Sequence, residues 1–293
     1  MKPRVCVLRT DGTNCDRETA HAFKSSFSLL NADAEIVHIN SLTKGYDPVK
    51  KEDVSLDDYH ILALPGGFAN GDYISAGKIE AIELGGLEDD IKKFIEDGKL
   101  IIGICNGFQV LVKSGLLPML NGKIEQTATL TYNNINRYRC DWIRLTSLEN
   151  RCVWTKGIKS IDLPVAHGEG KFVASEDVIK ELFRKDMVVF QYSDDDGNPT
   201  MNFPQNPNGS LEGIAGICDE TGRIFGLMPH PERYNCKENH HLYTLKKILS
   251  KSYVDRSNPE YSERLKIIDD IPDVNGLKIF RNGVNYVIEN LLR

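Results

Sequence analysis

Cys105 stands where an apolar run meets a helical one, in Gly103-Ile104-Cys105-Asn106-Gly107. Leu100–Ile104 reads as a buried strand, and Asn106–Lys113 as a helix closed by Gly115. A cysteine at such a junction, with glycine two residues to either side, has the pattern of a nucleophile elbow. That turn lifts a side chain above the carboxyl edge of a sheet. The glycines are needed because strand and helix crowd the corner. A helix N-terminus also favours thiolate, the reactive form, through its dipole and free N–H groups. A buried structural cysteine is the competing reading.

His230 and Glu232 lie two residues apart in Gly226-Leu227-Met228-Pro229-His230-Pro231-Glu232. Residues two apart in an extended segment point to the same side, and the prolines discourage helix there. A carboxylate beside histidine fixes its tautomer and stabilises the imidazolium. Histidine near a thiolate accepts a proton and later delivers it to a leaving amine. A surface loop with a charged pair would look the same in isolation. Pro65-Gly66-Gly67-Phe68 closes a third candidate strand, His60–Leu64. Its glycine pair lets an N–H from Gly67 or Phe68 join that of Asn106 in an oxyanion hole, although a plain βα turn would carry the same residues. Each signal is weak singly. Their chain order and their placement after strands give them joint weight.

The elements that must position these groups alternate. Strands are predicted at Arg4–Leu8, Glu35–Ile39, His60–Leu64 and Leu100–Ile104, with helices at Thr19–Leu30, Gly86–Asp97 and Asn106–Lys113. Such alternation indicates a parallel sheet covered on both faces. The second half is richer in strands, at Tyr138–Leu145, Ile161–Ala166, Met187–Tyr192, Gly213–Cys218 and Arg223–Leu227. Ser193–Ser210 reads as a polar, hairpin-like excursion. Within it, Asp194-Asp195-Asp196-Gly197 lacks the spacing of a calcium loop and reads as a turn. Helix is expected again near His240–Ser250. Ser252–Asp273 reads as a polar arm, and Leu277–Leu292 as a terminal helix docking on the same domain. The division expected is 1–250 for the main domain and 251–293 for a C-terminal extension.

Bulk properties exclude several classes. The 293 residues are 41 % apolar and 27 % charged, enough for a sizeable core under a solvated surface. A formal charge of −6 argues mildly against nucleic acid or an anionic membrane as partner. Seven cysteines, with no CxxC pair, suggest reduced thiols and neither a zinc site nor a disulfide framework. No signal-peptide pattern and no long apolar span is visible, so a cytoplasmic protein is expected. No GxxxxGK[ST] phosphate loop occurs.

Gly103-Ile104-Cys105-Asn106-Gly107-Phe108-Gln109 and Pro229-His230-Pro231-Glu232 resemble the class I glutamine amidotransferases, with their Cys-His-Glu triad. Gly12-Thr13-Asn14-Cys15-Asp16, Gly66–Tyr73, Ala166–Phe172 and Asn206–Ser210 narrow the resemblance to the glutaminase subunits of phosphoribosylformylglycinamidine synthase. The similarity runs from about Val5 to Arg233, and Ile279–Asn282 resembles the family's terminal segment.

The resemblance implies a flavodoxin-like α/β fold: a central, mostly parallel sheet with helices on both faces and an added antiparallel portion. It implies that Cys105 attacks the side-chain amide of glutamine, that His230 and Glu232 serve it, and that Gly67, Phe68 and Asn106 hold the oxyanion. It implies substrate contacts at Gln109, Asn133 and His167. It implies no metal or cofactor in this chain, with ATP and Mg²⁺ belonging to a separate synthetase subunit. A small bridging subunit is the further partner expected, and purine synthesis the setting. Another cysteine hydrolase of similar fold and a non-catalytic scaffold are the rival readings. The intact Cys105, His230 and Glu232 speak against the second.

Overall fold

The computed structural model describes residues 1–24, 32–249 and 275–292. The strands are β1 (Arg4–Arg9), β2 (Asp33–His38), β3 (Tyr46–Asp47), β4 (Glu52–Asp53), β5 (Ile61–Leu64), β6 (Leu100–Ile104) and β7 (Ala128–Thr131). They continue with β8 (Arg139–Ser147), β9 (Ser160–His167), β10 (Lys171–Ala174), β11 (Val188–Ser193), β12 (Ile214–Cys218) and β13 (Ile224–Leu227). Nine of them form one sheet, in the order β2-β1-β5-β6-β13-β12-β11-β8-β9. The first five run parallel. From β13 onward every neighbour is antiparallel. The parallel strands β5, β6 and β13 are buried at every residue. Burial on both faces is why they read as unbroken apolar runs.

The helix Asn106–Lys113 follows β6 directly, and all eight of its residues are buried. A Cβ at Gly103 would lie 2.6 Å from both the Gly107 carbonyl oxygen and Leu111 Cδ1. The missing side chain lets helix and strand meet this closely. β7 and β10 pair into a small antiparallel sheet. From it, buried Phe172 stacks on Phe108 of that helix at 6.4 Å.

Sequence reading placed most strand boundaries within two residues. It missed β7, β10 and the short β3–β4 hairpin, and also three helices, Ile39–Lys44, Lys78–Leu84 and Glu176–Arg184. The first predicted helix is described as Asp16–Lys24. Residues 25–30 of that prediction lie outside the described residues, as does the predicted arm Ser252–Asp273. The predicted helix Gly86–Asp97 narrows to Glu88–Glu96 behind a 3₁₀ turn. Asp194–Gly197 is a turn, with the Gly197 N–H on the Asp194 carbonyl at 3.0 Å.

The C-terminal helix Leu277–Asn290 packs on the same core. It buries Leu277, Ile279, Phe280, Val284 and Val287, and Phe280 meets Phe23 edge-on at 4.9 Å. Burying one such phenylalanine contributes about 1.5–3 kcal/mol. At the helix start, the Gly276 N–H donates to the Tyr234 carbonyl at 2.8 Å. Gly276 also abuts the Pro231 carbonyl so closely that no side chain fits. The terminal helix therefore buttresses the segment that carries His230 and Glu232.

Candidate functional site

Three neighbouring strands end side by side and carry the three sequence signals. Leu64 of β5 pairs with Gly103 of β6, and Ile104 of β6 pairs with Leu227 of β13. The Cys105 N–H donates to the Leu227 carbonyl at 2.8 Å. Past these ends lie Gly66-Gly67, Cys105 and His230. Cys105 has φ 51° and ψ −104°, a left-handed conformation rare outside glycine. Such strain, of order 1–3 kcal/mol, persists where the surroundings over-determine it, as at functional sites.

His230 and Glu232 are fully enclosed, at 1 % and 0 % side-chain exposure, with Nδ1 2.6 Å from Oε1. The His230 N–H donates to the Pro164 carbonyl at 2.8 Å, fixing the backbone against β9. A Cβ placed on Gly66 would lie 2.7 Å from His230 Cε1 and 3.4 Å from Cys105 Cβ. The His230 imidazole and the Cys105 side chain therefore flank the same glycine. Burial disfavours the imidazolium. The charges of Glu232 and of the neighbouring thiols outweigh burial and raise the His230 pKa well above the ordinary value. The Cys105 thiol donates to the Ala166 carbonyl at 3.7 Å. His230 Nε2 has no hydrogen-bond partner among the described residues. Contacts between a base and its nucleophile commonly tighten only when substrate binds.

The oxyanion candidates divide. The Phe68 N–H faces Asn14 Oδ1 at 3.2 Å and the Gly12 carbonyl at 3.3 Å, so it is turned away from Cys105. This corrects the reading of Phe68 as a donor. The backbone between Thr13 and Gly67 forms an isolated antiparallel bridge that commits it. Gly67, at φ +148°, borders the cavity beside Cys105, and Asn106 opens the helix that follows it.

Cys105 borders two cavities. One of about 130 Å³ is lined by Gly67, Asp72, Gln109, Tyr138, His167 and Glu169, among others. The second, about 160 Å³, opens past Asn14, Cys15, Phe68, His230 and Arg233. Gln109 lies in the first, but its amide is engaged. It accepts from Asn106 Nδ2 at 3.0 Å and donates to the Glu169 carbonyl. Asn133 does not border either cavity. Its side chain binds the Arg137 and His167 carbonyls, the Gly170 N–H and His167 Nδ1. It ties two loops together, which corrects its reading as a substrate contact. His167 borders the cavity but is held neutral, its pKa pushed down to about 3 by burial and by the charge of His230.

Sequence reading passed over Asp72 and Glu169. Burial and the charge of Glu169 push the Asp72 carboxyl up to about 6, against the pull of Lys113. Lys113 is itself buried, 3.7 Å from Glu169, and bonded to Ser75 Oγ and the Ala76 carbonyl. A lysine at the far end of an otherwise apolar helix face was the one available signal.

Among the described residues, no helix is long and apolar enough to cross a membrane. Residues 2–287 match the model of the CobB/CobQ-like glutamine amidotransferase domain. The phosphoribosylformylglycinamidine synthase subunit PurQ of Methanococcus maripaludis is 43 % identical over 287 residues, covering 97 % of each chain. That of Dehalococcoides mccartyi is 47 % identical over 237 residues, 80 % of this chain and 86 % of that one. A solved structure described as PurLQS from Thermotoga maritima aligns with TM-score 0.64 and 31 % identity, over 98 % of this chain and 100 % of that one. A mixed sheet whose adjacent parallel strands end at cysteine, histidine and glutamate thus coincides with similarity along nearly the whole chain, and the protein belongs to the CobB/CobQ-like glutamine amidotransferase family.

Proposed function

We propose that this chain is the glutaminase subunit of phosphoribosylformylglycinamidine synthase, a cytoplasmic enzyme of purine synthesis that hands ammonia to a separate ATP-dependent synthetase. The observation that carries the reading is the placement of Cys105 and of the His230–Glu232 pair around Gly66. The names of its relatives point the same way. Cys105 passes its thiol proton to His230, the thiolate Sγ adds to the side-chain amide carbon of glutamine, and the oxygen becomes an anion facing the N–H groups of Gly67 and Asn106. His230 gives a proton to the nitrogen, the C–N bond breaks, and ammonia leaves a thioester on Cys105. Water then loses a proton to His230 and adds to the thioester. The C–S bond breaks and glutamate departs. These steps need no cofactor on this chain; ATP and Mg²⁺ belong to the synthetase, with a small bridging subunit as further partner.

Ammonia is easily protonated or lost to water, so hydrolysis without an acceptor is wasteful. The isolated chain is expected to hydrolyse glutamine slowly, and the synthetase with its ribonucleotide to raise kcat at least about tenfold, near 1.4 kcal/mol. Steady-state glutaminase rates with and without the synthetase decide this, and an unchanged rate rules out the coupling.

Asp72 supplies the recognition of glutamine's far end. Above pH 6 its carboxylate attracts the α-ammonium; as pH falls through about 6 it takes a proton and the attraction is lost. KM for glutamine is expected to rise over that interval. Asp72→Asn should raise KM about tenfold at neutral pH, removing one charge-assisted bond, and should abolish the pH step while leaving kcat within a few-fold. A wild-type KM flat across the interval would exclude Asp72 from this role.

A further inference from the structure

Cys15 lies in the turn after β1, and its backbone is pinned on both sides. Its N–H donates to the Gly66 carbonyl at 3.1 Å, while its carbonyl accepts from the Thr19 N–H at 3.0 Å and Thr19 Oγ1 at 2.7 Å. The residue is 1 % exposed, and its sulfur accepts a hydrogen bond from Arg233 Nη2 at 3.0 Å. The glutaminase mechanism gives this thiol no task. Yet Cys15 Sγ, an imidazole nitrogen of His230 and a carboxylate oxygen of Glu232 all lie within 4.8 Å of one another, on three buried residues. It is the only such three-donor group among the described residues. Two polar atoms of the cluster, His230 Nε2 and Glu232 Oε2, are buried without a hydrogen-bond partner among those residues.

Thiolate, imidazole and carboxylate together suit a borderline-soft cation. Hard cations such as Ca²⁺ and Mg²⁺ select all-oxygen sets. We propose that Cys15, His230 and Glu232 form a Zn²⁺-binding site that competes with catalysis. The metal takes one sulfur, one nitrogen and one oxygen at about 2.0–2.3 Å, replacing the hydrogen bond by which His230 Nδ1 and Glu232 Oε1 meet at 2.6 Å, with water at the remaining tetrahedral position. Cys15 releases its thiol proton to solvent, and the imidazole binds in its neutral form. Arg233, whose side chain is 36 % exposed, gives up its bond to the sulfur and turns outward. The bound metal holds the base of the reaction, so glutamine hydrolysis stops until a chelator removes it.

The opposing arrangement is capture of Zn²⁺ by Cys105 and His230 alone, which any cysteine–histidine pair permits. Three variants separate the two. The reduced, metal-free full chain is titrated with Zn²⁺ against a chromophoric chelator. Wild type is expected to bind one ion per chain. Cys15→Ala should weaken binding on the order of 100-fold, since a ligand is lost. Arg233→Ala should tighten it several-fold, because a positive charge no longer opposes the ion. Cys105→Ala should leave the affinity within about twofold, and its Co²⁺-loaded form should keep a sulfur-to-metal charge-transfer band, since Cys15 supplies the thiolate. If Cys15→Ala is unstable, the other two variants still decide. Loss of binding in Cys105→Ala, no tightening in Arg233→Ala, or no stoichiometric binding by wild type would each overturn the site. All of these readouts are independent of glutaminase activity.

Discussion

Cys105→Ala is expected to lower kcat for glutamine hydrolysis by about 10⁵-fold or more, while the protein stays folded. Losing the nucleophile removes the whole covalent route, and in a hydrolytic triad that costs about as much as removing all three members. Five decades correspond to about 7 kcal/mol of barrier. A residual acceleration of roughly 10³–10⁴ over water is expected from the remaining donors and from substrate binding. Cys105 is 5 % exposed, and its thiol makes a weak bond to the Ala166 carbonyl. Alanine leaves a small void there, so the stability loss should be modest, within about 1–2 kcal/mol. The check is steady-state ammonia release beside thermal unfolding, with peptide mapping of a glutamine-analogue adduct on wild type. Ammonia release within tenfold of wild type would show that another group attacks the amide.

The elbow was legible because its constraints are local. Gly103 is glycine for want of room against Gly107 and Leu111 of the helix that follows its own strand, partners close in sequence, whereas Gly107 abuts Leu64 of the neighbouring β5. The alternation of apolar runs with helical periods likewise gave β5, β6 and β13, since strands buried on both faces leave few polar residues to confuse the pattern. Glu176–Arg184 was missed for the opposite reason. It is a short surface helix with only Ile179 and Leu182 buried, and its clearest marker is the Ser175 cap on the Val178 N–H at 3.3 Å. β7 and β10 are four residues each and pair across 40 positions of chain, so neither shows a strand period of useful length.

What stayed hidden at the site was long-range. That the Phe68 N–H is committed depends on Asn14, 54 residues away. The anionic end of the cavity depends on Asp72 and Glu169, which no local motif associates. Cys15 and Arg233 are 218 residues apart and meet only because β1 and β13 both end at the same rim of the sheet. Asn133 shows the reverse: the resemblance implies a substrate contact there, but its polar atoms hold loops to each other. Family resemblance locates a segment, whereas a side chain's task depends on which partners the fold has already given it.

Glu232→Gln tests the other half of the catalytic arrangement, and the sign of its effect follows from the charges around His230. In wild type, burial disfavours the imidazolium, but Glu232 at 2.6 Å and the nearby thiols more than offset this, and the pKa stands well above 6.5. The upward shift favours the imidazolium, the form that hands a proton to departing ammonia in the proposed mechanism. Glutamine keeps the shape and removes the charge. Burial then dominates, the imidazolium becomes scarce at neutral pH, and the amide can also present N–H where Nδ1–H needs an acceptor. A fall in kcat of about 10²–10⁴-fold at neutral pH is expected, in line with loss of the orienting carboxylate in other triads. Activity should recover in part as pH is lowered, because acid restores the imidazolium, and the optimum should move down. The raised His230 pKa also stabilises the folded state. That contribution is full below the unfolded value of about 6.5 and is lost as pH rises through the folded one. Glu232→Gln should therefore cost most stability at acid and neutral pH and least at alkaline pH. A pH–kcat profile that keeps its wild-type position, with kcat reduced less than tenfold, would mean that the Glu232 charge does not govern the base.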